Sequence, residues 1–120
     1  MRALACVMSG LLCAAMANAE CVYPKAPGAA PDGLTATEEE MLAGMRAVKD
    51  YQERVQAYLQ CLENETNERI EAAGPDATPE QIAQIKAIHA KRHNAAVEEL
   101  EAHAERFNEQ VRVYKSRKKS

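Results

Sequence analysis

The chain reads as an all-α protein: an antiparallel two-helix hairpin, coiled-coil-like, with an extended Pro-rich N-terminal arm tied back onto it by a disulfide. Three observations predict this. Two capping boxes, at Thr37 with Glu40 and at Thr78 with Gln81, each open a long stretch free of helix breakers. Gly74-Pro75 interrupts the chain between them. Both stretches carry one apolar stripe at a spacing near 3.6 residues.

Residues 1 to 19 have the anatomy of an export signal. Met1 and Arg2 give a basic start, Ala3 to Ala15 an apolar core, and Ala17-Asn18-Ala19 a small-residue cleavage site, so the mature protein is expected to begin at Glu20. The apolar run is shorter than the roughly 20 residues a membrane span needs. Leu12 before Cys13 and Glu20 before Cys21 do not offer the small residue that a bacterial lipoprotein signal places ahead of its Cys. A periplasmic or secreted location is the expectation. Cleavage removes Cys6 and Cys13 and leaves Cys21 and Cys61, an even pair that reads as one disulfide in an oxidising compartment.

From residue 20 to residue 36, Pro24, Pro27, Pro31, Gly28 and Gly33 forbid a regular helix and predict an extended arm. Thr37 followed by Glu38, Glu39 and Glu40 then starts the first helix with acidic side chains on its positive end. Thr35 with Glu38 offers the same box two residues earlier. This helix is expected over residues 37 to 73. Thr78 caps the second, Pro79 occupies the first helical position, where its missing N–H costs nothing, and the helix is expected over residues 79 to 114. A basic tail, 115 to 120, follows.

On a helical wheel, Met41, Met45, Val48, Val55, Leu59, Leu62 and Ile70 share one stripe, flanked by Tyr51 and Tyr58. The second helix offers Ile82, Ile85, His89, Ala96, Leu100, His103, Phe107, Val111 and Tyr114. A short connection folds the helices back on each other, in a register that sets Ile70 against Ile82, Val55 against Ala96 and Met45 against Phe107. Cys61 lies off this stripe, beside Tyr58 and Arg54. The helix from 37 to 61 spans about 36 Å and the arm can reach about 50 Å, so the arm can run back along the first helix to close the disulfide. The only aromatic residues are Tyr23, Tyr51, Tyr58, Phe107 and Tyr114, which points to elongated helices with a narrow seam.

Chemistry-bearing motifs are few. His89 and His93 stand four apart on one helix, a spacing that lets two imidazoles share a metal ion, but Lys91 and Arg92 would repel a cation. His103 is about 21 Å further along, too far for a third ligand. No Ser, Cys or Thr sits beside a base in a nucleophile's arrangement, and no glycine-rich phosphate loop is present. Glu98 and Glu99, or Glu63 and Glu65, read as solvated surface, and the Asn64-Glu65-Thr66 sequon falls inside a helix. The reading is of a non-enzyme without a cofactor.

Charge is unevenly spread. Residues 20 to 111 hold nine Lys and Arg against eighteen Asp and Glu, whereas Arg112, Lys115, Arg117, Lys118 and Lys119 make the last nine residues strongly basic. Two roles are open for that end: contact with an anionic envelope surface, or neutralisation by Glu38, Glu39 and Glu40, which the hairpin brings alongside. Nucleic acid is not the expected partner. An envelope protein or a second copy of the chain is, with no transmembrane anchor.

Several segments together resemble a family of small exported, periplasmic helical proteins of Gram-negative bacteria. They are Cys21-Val22-Tyr23-Pro24, Pro31-Asp32-Gly33, Thr35-Ala36-Thr37 with Met41, Val48-Lys49 with Tyr51, Tyr58-Leu59-Gln60-Cys61-Leu62, His93-Asn94-Ala95-Ala96-Val97, and Arg106-Phe107-Asn108 leading into Val111-Arg112 and Tyr114-Lys115. The resemblance implies export, a Cys pair and long helices. It brings no catalytic or binding residue with it. The functional expectation is therefore a structural or protein-binding factor of the cell envelope.

Overall fold

The computed structural model describes residues 20–118, so the expected signal segment and Lys119 lie outside the described residues. Two helices, α1 (Glu38–Ala73) and α2 (Pro79–Lys118), pack against each other as a hairpin. The arm, residues 20–37, lies along them, and a Cys21–Cys61 disulfide joins it to α1.

Local chemistry sets the helix starts. The Glu40 N–H donates to Thr37 Oγ1 at 3.1 Å and the Thr37 N–H donates to the Glu40 carboxylate at 3.0 Å, so the capping box closes in both directions. Thr35 does not open the helix because its own N–H is already used. It donates to the Asp32 carbonyl at 3.1 Å, as does Ala36 at 2.7 Å, in a turn that Asp32 organises. At the far end Gly74 takes φ 75°, a left-handed conformation costly for any residue with a Cβ, and its N–H donates to the Glu71 carbonyl. The second box mirrors the first, Gln81 N–H to Thr78 Oγ1 at 3.2 Å and Thr78 N–H to Gln81 Oε1 at 2.9 Å.

α2 does not stop at Tyr114. It continues through Lys115 and Ser116 to Lys118, so the first four residues expected to form a tail are the last turn of a helix. No breaker occurs there, and cationic side chains are favoured at a helix C-terminus.

The core divides into two clusters. Tyr51, Val55, Tyr58, Leu62 and Ala96 form one, with Cys21, Ala26, Leu59 and Leu100 against it. Ala36, Met41 and Phe107 form the other, with Val48, Val111 and Tyr114. Val55 and Ala96 share a cluster as the register predicts. Phe107 clusters with Met41, and Met45 is 42% exposed. The Phe107 ring settles on α1 at Gly44, one residue from Met45 and in the same register as Val55 with Ala96; a Cβ on Gly44 would stand 2.8 Å from the ring. Tyr51 and Tyr58, expected on the flanks, are instead core residues, because the arm roofs the seam on their side. Fully burying side chains such as Val55 and Leu62 contributes about 1.5–3 kcal/mol each, which makes the arm's cover a substantial share of a thin core.

Candidate functional site

The densest set of polar and aromatic groups lies where the arm crosses the seam. Cys21 is bonded to Cys61 of α1, with 5.7 Å between the Cα atoms. Two residues on, the Tyr23 ring meets Tyr58 edge to face at 5.2 Å, and its hydroxyl donates to the Glu99 carboxylate of α2. The arm is thus held by one helix through a covalent bond and by the other through a charge-assisted hydrogen bond. Arg54 donates to the Lys25 carbonyl at 2.8 Å and to Asp50 at 3.0 Å, while lying over the Tyr51 ring.

Beneath the arm, Tyr51 is fully buried and meets His103 edge to face at 5.5 Å. Among the described residues its hydroxyl has no hydrogen-bond partner. Burial and the nearby Glu99 charge push the Tyr51 hydroxyl above the ordinary tyrosine value, with Arg54 acting in the opposite direction. The Tyr23 hydroxyl is raised as well, chiefly by its bond to Glu99 and then by burial. His103 Nε2 stands 4.0 Å from the other Glu99 oxygen. The cluster therefore combines proton-holding tyrosines with a carboxylate already engaged by Tyr23, a set suited to fastening the arm.

A second set fixes the other end of the arm. The Gly33 N–H donates to Gln110 Oε1 at 2.8 Å. Arg117 donates to the carbonyls of Leu34 and Ala36, both at 2.7 Å, and its guanidinium lies over the Tyr114 ring. Of the five basic residues singled out from sequence, Arg117 is thus committed to the arm and Arg112 pairs with Glu109. Lys115 is exposed, Lys118 ends α2, and Lys119 lies outside the described residues.

His89 and His93 do come together, with ring centroids 5.9 Å apart. His89 Nδ1 is 2.9 Å from Thr66 Oγ1, which ties the ring to α1, and among the described residues no group of three His, Cys, Asp or Glu could hold a metal. Nearby, Glu65 bridges Arg69 and Arg92 at 2.8 Å each and so pins α1 to α2. Burial works against the charge of Arg92, but its bonds with Glu65 and Tyr58 outweigh that and raise it.

Sequence reading missed the Tyr23, Tyr51, Glu99 and His103 assembly. One signal was present, since Glu99 and His103 stand four apart and share a helix face, but nothing local says that Tyr23 reaches them. No helix among the described residues is long and apolar enough to cross a membrane. Comparison with protein-family models, curated proteins and solved structures found no match.

Proposed function

We propose that this chain is an exported, non-enzymatic helical protein, periplasmic or secreted, that works as a structural or protein-binding element of the cell envelope. The observation that carries the reading is the double fastening of the arm, to α1 by the disulfide and to α2 by Tyr23 on Glu99. It turns the open-end half of a two-helix ribbon into a fixed three-element rod, while the half beyond Cys61 stays two helices thick with Ile88 half exposed. α2 alone spans about 60 Å at 1.5 Å per residue. Tyr23, Glu99, Arg54 and Arg117 serve to hold the rod, and its long faces are the surface left for a partner. The oxidised Cys pair, the signal anatomy of residues 1 to 19 and the resemblance to small exported helical proteins support the compartment.

Affinity capture from the cell envelope, with the disulfide-bonded protein and with Cys61→Ser in parallel, tests this. A protein partner retained by the first and lost by the second is the expected result. If both retain only anionic lipid, the basic end becomes the better reading, with Lys115 as its exposed representative. If neither retains anything, the binding role fails.

A further inference from the structure

Between its two fastenings the arm borders a hollow that the disulfide does not touch and that shares only His103 with the tyrosine cluster. Its volume is ≈ 350 Å³, within the range of small-ligand pockets. Pro27 and Pro31 of the arm, Val48 of α1 and Phe107 of α2 supply apolar walls. His103 and Arg106 of α2 supply the polar side.

The two cationic candidates differ in availability. His103 is already held between the Tyr51 ring and Glu99. Arg106 is exposed and makes no ion pair or hydrogen bond among the described residues. It also borders a second hollow, whose wall carries Glu105 and Glu109, and Glu109 is engaged by Arg112. An unpaired guanidinium at the mouth of an apolar hollow fits a molecule with one anionic end and one apolar end. A planar carboxylate matches the guanidinium fork, and a single cation matches a single negative charge. The volume, and the fixed arm on one side, favour a small molecule over a folded partner.

We propose that this hollow is a binding site for a small amphiphilic carboxylate, its carboxylate on Arg106 and its apolar body against Phe107 and Val48.

The test is an NMR titration of the disulfide-bonded protein with sodium octanoate, alongside 1-octanol and sodium acetate. Octanoate should shift the amide signals of Val48, Phe107 and Gly28 saturably, and acetate should not. Arg106→Gln should weaken octanoate about tenfold, the scale of one hydrogen bond to a charged group, and leave any octanol binding unchanged. Ala47→Phe, which places a ring in the hollow from α1, should abolish octanoate binding without unfolding the protein. The proposal is overturned if octanoate shifts nothing, if its shifts fall elsewhere, or if octanol binds as well as octanoate and Arg106→Gln changes neither.

Discussion

The Tyr23 hydroxyl donates to the carboxylate of Glu99, 76 residues away in sequence. With Cys21 bonded to Cys61 only two residues earlier, this contact makes the arm a strap across both helices and not a tether on one. Removing the hydroxyl in Tyr23→Phe should cost about 1 kcal/mol, and Glu99→Gln less, because an amide oxygen still accepts. Urea denaturation of both single variants and the double variant would show their effects to be less than additive. Additive losses would mean that the charge of Glu99 adds nothing to the bond.

Alkaline pH should loosen the same strap. Both Tyr23 and Tyr51 hold their protons more tightly folded than unfolded, so the folded state binds more protons once pH passes the ordinary tyrosine value of 10.0. Their contribution is complete below that pH and is lost as pH rises above it. Denaturation midpoints measured from pH 8 to pH 11 should therefore fall at the alkaline end, and fall less steeply in Tyr23→Phe.

Tyr51 gives the opposite lesson about a hydroxyl. Because its hydroxyl is buried without a partner among the described residues, Tyr51→Phe should leave stability unchanged or raise it by up to about 1 kcal/mol. Tyr51→Ala should cost about 3–5 kcal/mol through the cavity it opens in the core. A large loss in Tyr51→Phe, seen by thermal or urea denaturation, would show that the hydroxyl is bonded after all.

The disulfide closes a loop with a sequence separation of 40, and Cys61→Ser should cost about 4 kcal/mol on chain-entropy grounds. Hydrogen exchange should show where. The turn at Asp32 keeps its own hydrogen bonds and the hold of Gln110 and Arg117, so it should stay protected. Residues 21 to 26, nearest the lost bond, should exchange faster.

Two glycines should respond differently to alanine. At Gly33 a Cβ would press on the Gln110 carbonyl and stand 2.9 Å from the Tyr114 nitrogen, backbone that α2 cannot move, so Gly33→Ala should cost about 2–3 kcal/mol. At Gly44 the new methyl would meet the side chains of Phe107 and Pro31, and alanine's better helix propensity offsets part of the strain. Gly44→Ala should therefore cost less, about 1 kcal/mol, in the same denaturation assay.

Residue order alone places the starts of α1 and α2 and the turn of the hairpin. Those features rest on short-range chemistry: Thr37 with Glu40 and Thr78 with Gln81 act across three residues, and Gly74 needs only its own backbone freedom, whereas choosing Cys21 and Cys61 among four cysteines rests on the expected removal of residues 1 to 19. Packing of the three elements was needed to show that Tyr51 and Tyr58 are core and that Arg117 serves the arm. Both depend on an arm without periodicity lying across two helices, with contacts separated by 76 to 83 residues. An extended segment carries no local signal of the surface it will cover, and so its partners, with the hollow it borders beside Arg106, emerge only when the three elements are packed.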